Sequence, residues 1–266
     1  MKGGRPMSQT TFPVIFAGHG SPMMALETTD VTQSFSRLGE EILKEYGTPK
    51  AILMISAHWF THGTYIQSAA VPKQIYDMYG FPQELYEVKY PVKGSASLTG
   101  AVLNLLGDDV SINNAWGIDH GAWTVLLHMF PDASIPVVQL SVNHDLSPQA
   151  SYELGQKLMP LRQAGYLIMG SGNTVHNLRE ADWDNPGGTA ATHRFNDYII
   201  DAVTSGHYEP VIGYTAHHDA SYAVPTPDHF LPLLYCLGAA GTDNAVAFNT
   251  TCSLGSIAMT GFTFGM

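Results

Sequence analysis

The sequence predicts an α/β fold, a single-domain sandwich in which helices flank a largely parallel or mixed central sheet. Two observations carry that expectation. Short, nearly continuous apolar runs recur at TFPVIFA (11–17), AILMISA (51–57), IPVVQLSV (135–142) and GYLIMGSG (165–172), which is how strands covered on both faces read. Segments of helical periodicity separate them, and strand–helix alternation of this kind builds a sheet with helical crossovers.

Between the first two runs, Val31, Phe35, Leu38, Ile42 and Tyr46 follow the three–four spacing of one helix face, and Gly47 with Pro49 stops the helix. Further helices are expected over 95–106, ending at Gly107, and over 121–130, 148–164 and 189–204. Residues 60–94 and 206–232 read as long excursions suited to walling a site. No linker, internal repeat or low-complexity segment is visible. The expected organisation is a flexible tail over 1–11 and one domain over 12–266.

Composition bounds the function. The chain has 266 residues, 12 Lys plus Arg and a net charge of −11; without clustered basic residues, nucleic acid is not an expected partner. Cys236 and Cys252 lack C-x-x-C spacing, which excludes zinc-finger and iron–sulfur sites and leaves two small buried hydrophobes in a reducing cytosol. The polar start lacks a signal-peptide core, and no run approaches the ~20 apolar residues that span a bilayer. A cytoplasmic protein is the expectation. A chain this long buries about three quarters of its extended surface, so a metal is not needed to hold it folded. Histidine is the anomaly, with 12 residues, as many as Lys and Arg together.

Ligands of open α/β sheets bind beyond the carboxyl ends of the strands. His19 follows the first run between Gly18 and Gly20, which are expected to let the backbone turn tightly and keep the ring uncrowded. His58 follows the second run in SAHW, and His176 follows the fourth in GSGNTVHNL. One such histidine is ordinary; three at one sheet edge point to a shared site, where neutral imidazoles suit a metal. His144, in VNHDLSP, reads as structural or supporting, and His62, His128, His193 and His207 as unremarkable. The pair His217–His218 stays open, since adjacent side chains rarely point the same way. His120, in DHGAW, sits at a helix start, which disfavours the imidazolium and suits a neutral hydrogen-bonding ring. His229, in PTPDHFLPLLY, opens an apolar helix and is either a site residue or a half-buried ring beside a capping Asp228.

Taken together and in order, GHGSP, SAHW, DHGAW, GSGNTVHNLR and PTPDHFLPLLY resemble the class III extradiol ring-cleavage dioxygenases, in the DOPA-dioxygenase-type branch related to the catalytic subunit of protocatechuate 4,5-dioxygenase. The match runs from about residue 12 to the C-terminus. The resemblance implies one divalent metal per chain, Fe(II) for activity or Zn(II) as found in relatives, and a catechol substrate with O2. It implies His19 and His58 as ligands and His229 as the third, where protocatechuate-type enzymes place a glutamate. His176 corresponds to the catalytic base, which in zinc-loaded relatives reaches the metal too. His120 corresponds to a residue that hydrogen-bonds on the substrate or oxygen side. An ordinary imidazole pKa near ~6.5 would suit His176 to accept a phenolic proton. Trp59, Trp116 and Trp123 flank the motifs and could wall a flat ring. Arg179 is the nearest cation for a substrate carboxylate, or else a surface residue paired with Asp182 and Asp184. The rivals are a zinc hydrolase using the same histidines and a non-enzymatic metal-binding protein. No membrane partner is expected, and a homo-oligomer is admitted.

Overall fold

The computed structural model describes residues 11–266; the tail expected over 1–11 therefore lies, apart from Thr11, outside the described residues. The strands are β1 (Val14–Gly18), β2 (Ile52–Thr61), β3 (Tyr65–Ile66), β4 (Ser111–Ile112), β5 (Val137–Asn143), β6 (Leu167–Gly172), β7 (Ala245–Phe248), β8 (Cys252–Ser253), β9 (Ile257–Ala258) and β10 (Gly261–Phe264). Eight of them form one sheet in the order β4-β3-β5-β2-β6-β1-β10-β7, and β8 pairs with β9 alone. The centre is parallel: β6 lies between β1 and β2, and β5 flanks β2. The edges turn it into a mixed sheet, because β10 runs antiparallel to both β1 and β7, and β3 antiparallel to β5.

The continuous apolar runs have a direct cause. Successive side chains point to opposite faces, so Val14, Phe16, Leu53, Ile55, Val138, Leu140 and Ile168 enter one core. Their neighbours Ile15, Ala17, Ile52, Met54, Val137, Leu167 and Met169 enter the other. Helices Ala96–Leu106, Pro148–Leu158, Ala190–Thr204 and Leu231–Ala240 cover the first face. Helices Asp30–Tyr46 and His120–Met129 cover the second.

Helix Asp30–Tyr46 is delimited by local chemistry. Thr29 and Thr32 form a reciprocal capping box, and Gly47 ends the helix at φ 80°, a left-handed value that suits glycine. Phe35, Leu38 and Ile42 of the expected stripe are buried. Elsewhere the expected bounds shift for identifiable reasons. The helix expected over 148–164 stops at Leu158, and a separate turn Pro160–Gln163 follows, since Pro160 cannot donate to a continuing ladder. The second strand runs on to Thr61, with a register shift against β5 between Ser56 and Phe60. A shift of this kind re-aims side chains, and His58 lies within it rather than beyond the strand end. Among the described residues, no helix is long and apolar enough to cross a membrane. Cys236 and Cys252 are buried and free, and burial pushes both thiols up, Cys252 to about 11.

One buried cation ties the sheet to its C-terminal extension. Arg162, 4% exposed, donates to the carbonyls of Phe12, Ala239 and Ala240 at 2.7, 3.1 and 3.3 Å and pairs with Asp243. It thereby satisfies the last carbonyls of helix Leu231–Ala240 and anchors the entry to β1. Arg162→Met is expected to lower stability by about 3–5 kcal/mol, the usual cost of removing one partner of a buried ionic network. Chemical denaturation measures it, and an unshifted midpoint would show that the network is dispensable.

Candidate active site

The carboxyl ends of β1, β2 and β6 and the turn before helix Leu231–Ala240 bring the predicted histidines together. His19 leaves β1 with its N–H on the carbonyl of Gly172, the last residue of β6, at 3.1 Å. Asn173, next in the chain, ties two of the histidines at the backbone: its N–H donates to the His229 carbonyl at 2.8 Å, and its side-chain amide to the His19 carbonyl at 2.6 Å. Gly18 is required for a different reason from the one the sequence offered. It has no positive φ; instead a Cβ there would lie 2.4 Å from the Met259 carbonyl oxygen, so the need is for close approach, not a tight turn. His229 precedes helix Leu231–Ala240 and lies in the turn before it, and Asp228 does not cap that helix. Asp228 accepts from His229 Nδ1 instead.

The ring geometry defines the site. Ligand atoms of His19, His58 and His229 lie within 4.8 Å of one another, and the Nε2 atoms of His19 and His58 are 3.1 Å apart. Centroids of the His58 and His120 rings are 4.0 Å apart, and the His176 ring stacks on His229 at 3.5 Å with 5° between planes. Ring tautomers follow from the partners. Ser171 gives its single proton to the Gly121 carbonyl at 2.5 Å, so it accepts from His19 Nδ1–H at 2.8 Å. His58 Nδ1–H donates to Asp77 at 2.5 Å. Both Nε2 atoms are therefore acceptors, facing each other at 3.1 Å. Two lone pairs at that distance need a shared cation, a proton or a metal ion. Two ligands about 2.1 Å from one ion stand roughly 3 Å apart at right angles, and the neutral imidazole donors fit a divalent transition metal.

Two carboxylates organise these rings. Asp77 accepts from His58 through Oδ2, and from His120 Nδ1 and the His120 backbone N–H through Oδ1, at 3.0 and 2.9 Å. Asp119 is fully buried and caps the helix at His120, accepting from the Ala122 N–H at 3.2 Å and from Ser56 at 2.6 Å. Trp116 Nε1 at 3.0 Å and the Gln139 amide fill its other oxygen. Ser56 in turn accepts the His58 N–H at 3.3 Å, which links the register shift in β2 to the capped helix. Neither acid was singled out from the sequence as a partner of these rings. The missing signal is that a metal-binding imidazole needs an acceptor for its other N–H, a rule that names a residue type but not a position.

Electrostatics keeps most of the rings neutral. Burial, then the charge of neighbouring His58, lowers His19 well below the ordinary imidazole value. Burial also lowers His120 and His229, with hydrogen bonds to Asp77 and Asp228 opposing it. Thus His120 is neutral chiefly because it is buried, with the helix N-terminus expected from the sequence at most adding to this. For His58, burial is outweighed by its hydrogen bond to Asp77 and the charges of Asp119, Asp77 and Asp228, and its pKa is raised. Asp77 is held well below the carboxylate range; burial opposes this, but its hydrogen bonds from His120 and His58 prevail. His176 departs from the expected ordinary value. Burial, followed by His229, pushes it down to about 2, so its ring is neutral at pH 7. An anion bound beside it would move it back up.

The remaining candidates disperse. His176 lies against His229 outside the His19–His58–His229 group. Trp123 does not wall a pocket: it is fully buried in the core, and its Nε1–H holds the Ile75 carbonyl at 3.0 Å, fixing the segment that carries Asp77. Trp59 is 4% exposed, within the register shift of β2. Arg179 is exposed, and among the described residues it forms no ion pair with Asp182 or Asp184. His128 donates to the Met24 carbonyl at 2.8 Å, an ordinary structural role.

Because Asp77 sets both the tautomer and the orientation of His58, Asp77→Asn is expected to weaken divalent-metal affinity about 10–100-fold, the usual effect of losing such a partner. Competition with a chelator measures it. Unchanged affinity would show that Asp77 does not govern this ring.

Comparison with known proteins identifies the family. The family model described as the catalytic LigB subunit of aromatic ring-opening dioxygenase matches residues 13–263. The chain is 43% identical over 240 residues to a protein of Escherichia coli K12 named 4,5-DOPA dioxygenase extradiol, covering 88% of this chain and 87% of that one. It is 38% identical over 234 residues to the protein of the same name from Beta vulgaris, covering 86% and 87%. The crystal structure of an uncharacterized Escherichia coli K12 protein superposes with a TM-score of 0.80 at 36% identity, covering 96% of this chain and 100% of that one. The chain belongs to the LigB family of catalytic subunits of aromatic ring-opening dioxygenases, a family that uses a metal, and it is an extradiol ring-opening dioxygenase.

Proposed function

We propose that this chain opens the ring of a DOPA-like catechol beside its two hydroxyls, at a metal held by His19, His58 and His229. The observation that supports the metal site is the pair of Nε2 atoms facing each other at 3.1 Å, on rings whose Nδ1–H groups are already committed to Ser171 and Asp77. The substrate class comes from the relatives named 4,5-DOPA dioxygenase extradiol. When bound, the metal supplies Lewis acidity toward the catechol hydroxyls and, as Fe(II) but not as redox-inert Zn(II), a path for electrons to O2.

The protein's own groups then handle protons and position. His176, neutral and stacked on a ligand ring, accepts a phenolic proton as the catecholate forms, its basicity restored by that negative charge. Its ring lies against His229 but outside the three-histidine group, so joining the ligand set in the resting enzyme would require it to turn toward the ion. His120, in its Nδ1–H tautomer on Asp77, offers Nε2 as an acceptor to the substrate and, once protonated, returns a proton to the oxygen-derived anion. Trp59, next to His58, supplies an apolar wall, and Arg179 receives a side-chain carboxylate. Both atoms of O2 end in the ring-opened product, a muconic-semialdehyde-type compound. Residues 12–266 form the catalytic domain, and the two free cysteines suit a reducing cytoplasm.

Fe(II)-reconstituted protein is expected to consume O2 with catechols carrying a small side chain and to give a coloured product, whereas the zinc form stays silent. No uptake across a broad catechol panel, with iron confirmed in the site, would sink the proposal. His19→Ala, His58→Ala and His229→Ala are each expected to lose metal while remaining folded. His176→Ala is expected to keep most of its metal and lose turnover by roughly 10²–10⁴-fold. A metal-free His176→Ala protein would make that residue a ligand as well. Arg179→Ala should weaken only the carboxylate-bearing substrates.

A further inference from the structure

A second set of metal-ligating side chains meets at the surface, beyond β2 and β5. Thr61 and Asn143 are register partners at the ends of these parallel strands, so the next residues, His62 and His144, emerge side by side. The His144 N–H donates to the Thr61 carbonyl at 2.8 Å, and the two rings stand 4.7 Å apart. Asp145 is fixed between them. Its backbone N–H donates to Asn143 Oδ1 at 2.8 Å, and its Oδ2 accepts the Gly63 N–H at 3.0 Å. Its remaining oxygen, Oδ1, faces His62 Nδ1 at 2.7 Å and His144 Nδ1 at 3.4 Å. One ligand atom from each of the three lies within 4.8 Å of the others.

We propose that His62, His144 and Asp145 form a surface site for a first-row transition cation such as Zn(II), Ni(II) or Cu(II), separate from the active site. Two imidazoles and one carboxylate suit these ions better than Mg(II) or Ca(II), which take oxygen ligands. Side-chain exposures of 80%, 53% and 52% leave room for water to complete the coordination shell. Binding through the Nδ1 atoms has each ring move its proton to Nε2, so no proton is released, and exchanges the hydrogen bonds to Asp145 for bonds to the ion. The hydrogen bond from His62 keeps Asp145 below the usual carboxylate range, and the overall charge of −11 favours a cation. The other cluster outside the active site among the described residues, His217, His218 and the buried Asp219, is not equivalent. Arg194 already occupies both oxygens of Asp219, at 2.9 and 2.9 Å.

Equilibrium dialysis of the full chain against Zn(II), followed by elemental analysis, tests the site without relying on turnover. Wild type is expected to hold one more zinc per chain than either His62→Ala or His144→Ala. Both variants should keep wild-type oxygen uptake after Fe(II) loading, since neither residue belongs to the catalytic machinery. In His19→Ala the surface ion is expected to persist, which separates this site from the active-site reading. Equal zinc stoichiometry in wild type and both variants would overturn the proposal. So would loss of the extra ion in only one of the two, because the site needs both rings.

Discussion

The carboxylate of Asp77 joins two imidazoles, one on each oxygen, and the order of the active site follows from that bridge. His58 comes from the sheet and His120 from the helix beside it, so the bridge locks a strand end to a helix start. The acid is delivered by a segment with little regular structure, and backbone bonds hold it in place. Ile118 donates to the Lys73 carbonyl at 2.7 Å, Ile75 to the Ile118 carbonyl at 2.8 Å, and Trp123 to the Ile75 carbonyl at 3.0 Å. The cost of burying a carboxylate is offset by the hydrogen bonds it accepts, which is why Asp77 stays ionised despite its burial.

A cluster of imidazoles at one sheet edge is electrostatically expensive if the rings carry charge. Burial and mutual repulsion remove that charge from most of them, and each committed Nδ1–H then leaves a lone pair on the opposite nitrogen. Tautomer control is thus the step that would turn His19, His58 and His229 into the proposed ligand set, with His120 fixed beside them in the same way. Space matters as much as charge. A Cβ at Gly121 would lie 3.2 Å from His19 Cε1 and 3.3 Å from His58 Cδ2, so the residue after His120 has room for a hydrogen and little more. The DHG motif therefore unites a helix cap, a hydrogen-bonding ring and a steric allowance for the His19 and His58 rings.

Much of this was legible in the sequence, for reasons that also mark where legibility stops. The central strands declared themselves because both of their faces are buried, and His19 and His176 could be placed by following those strands outward. His229 was placed only as one of two alternatives, since Asp228 reads equally as a helix cap and as an imidazole partner. Asp77 was missed because its role exists only across the fold, between residues from a strand and a helix far along the chain. Trp123 was misread because proximity to a motif in sequence does not say which way an indole points. The antiparallel strands β7 and β10 gave no signal in the alternation of strands and helices, since they return to the sheet after the last helix. His62, read as unremarkable, and His144, read as structural or supporting, turned out to be neighbours because Thr61 and Asn143 share a register.

X-ray absorption at the iron edge of the Fe(II)-loaded protein addresses the tautomer-controlled ligand set most directly, because imidazoles give a characteristic outer-shell scattering pattern. The proposed ligand set predicts an ion held by His19, His58 and His229 through nitrogen, with Asp77 and Asp228 outside the coordination shell, and no iron retained by His229→Ala. A carboxylate oxygen from Asp77 or Asp228 in the shell, or iron retained in His229→Ala with an unchanged pattern, would contradict it.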